Sequence, residues 1–174
     1  DEIIFRLVKA AEFRDSSTGS HLVRIMSYAD LIGNNFGLSN RDRVIFKKAA
    51  IMHDIGKVGI PDSILSKPGR LTSEEYEIIK THTLIGFNIL NNSTSHVLQA
   101  GAEIALTHHE RFDGKGYPHG LSGSDIPIFG RLVSVVDMFD ALVSRRSYKE
   151  PWEVGQAVDE IQRLAGSRLD PECV

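Results

Sequence analysis

His53 and Asp54 stand side by side, an imidazole next to a carboxylate, with Ile55-Gly56-Lys57 directly behind them. Taken alone, such a pair reads as a helix end with an aspartate capping the next turn. Here it has company. His21, His82, His108, His109 and Asp137 each fall on or beside an apolar stripe of a predicted helix. A buried ionised carboxylate or an unpaired imidazole is costly unless something neutralises it. Seven such groups aimed at one interior point to bound metal.

Each residue has a plainer reading beside the chemical one. Asp54 has two oxygens and could bridge two metals, which suits an ion pair roughly 3.5–4 Å apart. The imidazoles would then fill the remaining positions, as borderline-soft transition metals prefer. His82 could equally be a satisfied core histidine. Neighbours on a helix diverge by about 100°, so a core accepts only one of His108 and His109, although at a fraying helix end both could reach one ion. Asp137 lies among Leu132, Val133, Val135, Val136, Met138 and Phe139, where a carboxylate needs a cation or several donors. Lys57 falls one turn after Asp54 and is either a surface lysine or an ammonium that steadies charge on a phosphoryl group.

The Gly114-Lys115-Gly116-Tyr117-Pro118 segment reads as a tight turn, or as a lid whose Tyr117 ring could stack on a purine. Arg145, Arg146 and Lys149 form a short basic cluster past Asp140: a solvated helix end or a phosphate clamp.

Helical periodicity dominates the elements that must carry these groups. One amphipathic helix is predicted over 1–14, interrupted near Arg14-Asp15-Ser16-Ser17-Thr18-Gly19. A second covers 19–36, with Leu22, Ile25, Met26, Ala29 and Ile32 on one stripe and Gly37 as its stop. A third runs from Asn40 into His53-Asp54, followed by an irregular stretch to the turn at Lys67-Pro68-Gly69. Thr72-Ser73-Glu74-Glu75 has capping-box spacing and opens a helix of about 18 residues carrying Ile78, His82, Ile85 and Ile89 on one face. Another helix leads from about 95 into His108-His109. Residues 111–127 read as a long ordered loop. Gly130 to Val143 is helical, with Asp137 and Asp140 three apart on one face. Pro151 suits the first turn of a last helix that carries Val154, Ala157, Val158 and Ile161. Strand signals are absent, so the fold class is all-α.

The 174 residues suit one domain with a substantial core. Apolar and charged fractions of 41% and 25% are ordinary for a globular protein. The net charge of −3 points to neither nucleic acid nor an anionic membrane, so any phosphate affinity must be local. A lone Cys173 rules out an internal disulfide and fits a reducing cytoplasm. No apolar run reaches the roughly 18–20 residues of a membrane span. The chain opens inside a helical pattern and stops after Asp170-Pro171, which reads as a single domain, 1–174, excised from a longer multidomain protein with an upstream regulatory partner.

Several long motifs, in order, resemble one family. His53-Asp54-Ile55-Gly56-Lys57-Val58-Gly59-Ile60-Pro61, Lys67-Pro68-Gly69-Arg70-Leu71-Thr72, His108-His109-Glu110-Arg111-Phe112-Asp113-Gly114-Lys115-Gly116-Tyr117-Pro118 and Asp137-Met138-Phe139-Asp140-Ala141-Leu142 are similar to the HD-GYP domain, a branch of the HD phosphohydrolases. The resemblance runs from Arg14-Asp15 to Asp170-Pro171. It implies an HD-domain bundle of about seven helices with an ordered GYP loop. It also implies a metal-dependent phosphodiesterase that opens cyclic di-GMP by in-line attack of a metal-bound hydroxide. The implied ligands are His21, His53, Asp54, His82, His108, His109 and Asp137. Lys57 would assist catalysis beside Asp54, Gly116, Tyr117 and Pro118 would face the substrate, and Arg146 and Lys149 would hold its phosphates. Iron is the metal the resemblance favours, with manganese and zinc compatible with the same donors.

One position departs from the family pattern. A glutamate that often precedes the threonine of the Thr18-Gly19-Ser20-His21 stretch, and that helps hold a third metal, is Ser17 here. A neutral hydroxyl is a poor anionic ligand, so the expectation is a dinuclear site and the linear product pGpG, with GMP formed slowly. Two rivals stand beside this reading: a phosphodiesterase for another cyclic dinucleotide such as cyclic GMP-AMP, and a non-catalytic module that senses the dinucleotide or docks a protein through the GYP loop. A missing ligand would favour the last, and none of the seven is missing.

Overall fold

A computed structural model of the protein describes residues 2–12, 20–145 and 150–174. Nine α-helical segments cover the described residues: α1 (Glu2–Glu12), α2 (Ser20–Phe36), α3 (Asn40–Ala50), α4 (Asp62–Leu65), α5 (Ser73–Lys80), α6 (His82–Leu90), α7 (His96–Thr107), α8 (Ile128–Val143) and α9 (Val154–Leu164). Two single bridges, Asp113–Ser122 and Ala165–Leu169, are the strand-like pairings among them. The fold is all-α, as the periodicity requires. The excess over about seven helices comes from the one-turn α4 and from a break between α5 and α6.

Helix ends follow local chemistry. Gly37 takes a left-handed φ of +89° and closes α2. Ser39 caps α3 through its hydroxyl, which accepts from the Asp42 amide at 3.1 Å. The capping box at Thr72 and Glu75 forms in both directions, at 3.3 and 2.8 Å. The 18-residue helix expected after it breaks at Thr81. Three side chains in succession turn back there onto carbonyls: Thr81 Oγ1 onto Ile78 at 2.6 Å, His82 Nδ1 onto Ile79 at 2.6 Å and Thr83 Oγ1 onto Lys80 at 2.9 Å. Side-chain donors thus compete with the regular helical ladder.

Other boundaries also move. α3 ends at Ala50, not at His53-Asp54, which occupy the turn before a 3₁₀ segment, Ile55–Gly59. Pro151 precedes the last helix, whose N-cap is Glu153. The buried stripe of α6 is His82, Gly86 and Leu90, whereas Ile78 and Ile89 are exposed. Val154 and Val158 of α9 are exposed as well, leaving Ala157 and Ile161 to pack inward.

α2, α3, α7 and α8 surround the core, and α6 lies along α7 and the 3₁₀ segment. Leu22, Ile25, Phe46, Ile104, Leu132 and Val133 are fully buried there. Close backbone approach sets the register near the site. A Cβ on Gly56 would run into the His82 carbonyl and the Gly86 nitrogen, and one on Gly130 would meet the Thr107 hydroxyl. Gly56→Ala should therefore force α6 away from the 3₁₀ segment. The expected result is a loss of about 1–3 kcal/mol in urea unfolding, with His82 displaced; unchanged stability would show that the two backbones separate freely.

Candidate metal centre

Three helices, α3, α5 and α7, end near one interior point, and a histidine within three residues of each end bonds a carbonyl of that helix's last turn. His53 Nδ1 faces the Ala50 carbonyl at 2.9 Å, at the end of α3. His82 Nδ1 faces Ile79, at the end of α5. His108 Nδ1 faces Ile104 and Ala105 near the end of α7, both at 3.1 Å. The Ala50 and Ile104 carbonyls also accept the His53 and His108 backbone amides, at 3.4 and 3.0 Å, so the imidazole N–H takes a second lone pair. A ring nitrogen facing a carbonyl must carry the proton, so Nε2 is left with its lone pair.

Asp54 sits where the Nε2 atoms meet. Its Oδ1 lies 3.4 Å from His82 Nε2 and 3.7 Å from His108 Nε2. Its Oδ2 lies 3.3 Å from His53 Nε2 and 2.8 Å from Lys57 Nζ. The two oxygens therefore face different neighbours. Donor atoms form two groups, each within 4.8 Å: Asp54, His82, His108 and His109 in one, and His21, His53 and Asp137 in the other. His53 Nε2 is 3.8 Å from Asp137 Oδ1. All seven residues singled out from the sequence are thus brought together. His108 is the C-cap of α7 and His109 follows it in the turn, which lets both join the same group.

The electrostatics suit this arrangement. Burial lowers His82 to about 4 and pushes His109 down further, so both rings are neutral near pH 7. Burial pushes the Asp54 carboxyl up, but the Lys57 ammonium at 2.8 Å leads the groups that hold it well below the usual carboxylate range. Neutral imidazoles and an ionised carboxylate are the protonation states a divalent metal requires. The cluster can hold metal ions.

Sequence reasoning passed over several supporting groups. Asp140 is buried, accepts from His21 Nδ1 at 2.8 Å and is gripped by Arg24 through Nε at 2.5 Å and Nη2 at 3.0 Å. Burial pushes Asp140 up, yet these bonds hold it well below its usual range. Its place one turn after Asp137 was the available signal. Glu110, also buried, receives the amides of His119 and Leu121 at 2.7 and 3.0 Å and so folds the GYP loop back over the end of α7. Its position beside His108-His109 gave no hint of that.

The loop itself is stitched to the C-terminal segment through the Asp113 amide on the Ser167 carbonyl at 2.8 Å. Gly116 packs on the backbone of His109–Arg111 with no room for a Cβ. The Tyr117–Pro118 peptide is cis. The Tyr117 ring lies over His109, with centroids 4.8 Å apart, and meets Tyr76 edge-on at 6.4 Å. A cleft of about 600 Å³ opens beside the cluster, lined by His108, His109, Tyr117, Asp137, Lys115 and Arg168 among others. Ser17, Arg146 and Lys149 lie outside the described residues. Arg145, described, pairs with Glu150 at 3.7 Å on an exposed surface.

The family model described as HD domain matches residues 7–173. A cyclic di-GMP phosphodiesterase of Thermotoga maritima is 51% identical over 99% of this chain and 47% of its own length. A 3'3'-cGAMP-specific phosphodiesterase 2 of Vibrio cholerae is 43% identical over 99% of this chain and 33% of its own. Among solved structures, a cyclic GMP-AMP specific phosphodiesterase of V. cholerae superposes with a TM-score of 0.71 at 18% identity, covering 99% of this chain and 46% of that one. The chain belongs to the HD-domain family, in its HD-GYP branch. It spans about half, or less, of the curated relatives it matches. No helix among the described residues is long and apolar enough to cross a membrane.

The buried histidines carry a pH signature for the metal-free protein. The His82 pKa is lower in the fold than in the unfolded chain, so between pH 6.5 and about 4 the unfolded chain takes up a proton that the fold refuses. His109 acts in the same direction. Stability should be fully present above pH 6.5 and fall as pH drops, by up to about 1.4 kcal/mol per unit for each group. Asp54 adds its share only below pH 3.8. Urea midpoints of chelated protein from pH 7 to 4.5 would check this, with His82→Gln flattening the slope.

Proposed function

We propose that this domain is a metal-dependent phosphodiesterase that hydrolyses cyclic di-GMP to pGpG. The observation that carries the reading is the Asp54 carboxylate, set between two groups of buried donors with the Lys57 ammonium 2.8 Å away. The 51% identity to a cyclic di-GMP phosphodiesterase over the whole chain supports the substrate.

His21, His53, Asp54, His82, His108, His109 and Asp137 would hold two divalent ions, iron first and manganese as the alternative, with Asp54 shared. Bound there, the ions would supply an activated water and offset the charge that builds on the phosphoryl group. The chain's own residues do the rest. Lys57 places a positive charge beside the reacting phosphate and is the proton donor to the departing 3′-oxygen. Tyr117, laid over His109 at the cleft, gives a guanine a ring to stack on, and Gly116 and Pro118 fix its position. Arg146 and Lys149 complete the phosphate clamp. A lone cysteine fits a reaction in the reducing cytoplasm, and an upstream domain or a partner at the GYP loop would regulate it.

The V. cholerae relative with a 3'3'-cGAMP name, at 43% identity, favours cyclic GMP-AMP as the second reading. Turnover of the two substrates by the same preparation separates them.

Asp54→Ala should abolish both metal retention and hydrolysis while far-ultraviolet circular dichroism stays helical, because the shared carboxylate is gone. Wild-type turnover by a metal-free variant would sink the mechanism. Arg146→Ala should weaken substrate binding by about 1.5–3 kcal/mol with metal content unchanged; loss of metal as well would make Arg146 part of the scaffold. With serine at 17, saturated protein should hold two ions per chain and accumulate pGpG, and Ser17→Glu should raise the occupancy of a third site. Elemental analysis finding three full sites in the unmutated chain would remove Ser17 from the argument.

A further inference from the structure

The two donor groups are anchored differently. In the group of Asp54, His82, His108 and His109, the rings of His82 and His108 are fixed by carbonyls three or four residues back in their own chain segment. In the other, His53 is fixed in the same local way, but His21 is fixed across the molecule by Asp140, 119 residues distant. Asp140 belongs to neither donor group. It is 2% exposed, and its two oxygens are taken up by His21 and by both Nε and Nη2 of Arg24. Arg24 is held in turn by the Ser20 hydroxyl at 3.0 Å, and its side chain is a third exposed.

Resting on the dinuclear reading above, we propose that Asp140, braced by Arg24, is a positioning residue that controls the half-site of His21, His53 and Asp137 and leaves the other half-site independent. The proton on His21 Nδ1 is committed to Asp140, which leaves Nε2 as the nitrogen available to a metal. A carboxylate behind an imidazole also raises the basicity of the far nitrogen. Arg24 takes Oδ1 through Nε and shares Oδ2 with His21 through Nη2, which holds Asp140 back from turning toward His53 or Asp137 and acting as a ligand itself. His21 sits one residue into α2 and Asp140 near the end of α8. A shift of one helix against the other therefore changes this half-site, whereas the other is built from helix ends that carry their own anchors.

The test is a Mn²⁺ titration of the full chain followed by electron paramagnetic resonance, with wild type, Asp140→Ala, Asp140→Asn and Arg24→Gln. Wild type should take two ions per chain and give the spectrum of a coupled pair. Asp140→Ala should bind its first ion within about threefold of wild type and its second about 10–100-fold more weakly, with the isolated-ion six-line spectrum replacing the coupled one. Asn keeps an acceptor for His21 Nδ1, so Asp140→Asn should lose less than Ala, and Arg24→Gln should fall between wild type and Ala. Should Asp140→Ala fail to fold, the Asn and Gln variants carry the same comparison. Retention of the coupled pair and both affinities, with only a lower melting temperature, would overturn the proposal and make Asp140 a simple cross-brace. A wild type that binds one ion would overturn the dinuclear reading and the clamp with it.

Discussion

A carboxylate taken out of water needs compensating charge, and Asp54 is the point at which this fold supplies it. Lys57 and three imidazoles face its two oxygens within 4 Å. Lys57 brings the charge; the imidazole lone pairs can turn toward a shared cation only if the ring protons are held elsewhere, and the carbonyls at the ends of α3, α5 and α7 hold them. A carbonyl near a helix end keeps a second lone pair after any backbone bond, and the ring N–H takes it. The helix ends thus set the rings: their carbonyls accept the Nδ1–H, and Nε2 turns its lone pair inward.

Packing has to respect that convergence. The 3₁₀ segment that carries Lys57 can lie against α6 only because Gly56 has no side chain, and the start of α8 meets the end of α7 only through Gly130. Ser134 adds a bond onto the His108 carbonyl at 2.6 Å, so α8 braces the turn that holds His108 and His109. Arg131 ties Asp170 to α8, and Asp170 anchors the C-terminal turn to which the GYP loop is stitched. A loop of this length, rich in glycine, is held through backbone contacts and one buried carboxylate, Glu110, not through a core of its own.

Much of this was legible in the chain. The 3.6-residue repeat of apolar positions, the capping box at Thr72 and the glycine stop at Gly37 are local physics, and local physics is encoded locally. The seven metal-binding candidates were legible for a related reason. Histidines and aspartates on apolar stripes violate the ordinary rule for a core, so they mark themselves. Helix boundaries were less so, since side-chain donors at Thr81, His82 and Thr83 compete with the ladder in a way periodicity does not reveal.

Tertiary structure alone decided the rest. Which ligands share an ion depends on the crossing of helices far apart in sequence, so the division into two groups, with Asp54 between them, has no local signature. Asp140 looked like a companion of Asp137 on one helical face, but its role follows from Arg24 and His21, more than a hundred residues away. Glu110 is similar: its partners are backbone amides, which every residue possesses and no sequence pattern singles out. Sequence fixes which groups must be neutralised; only the packed fold chooses the partner that neutralises each.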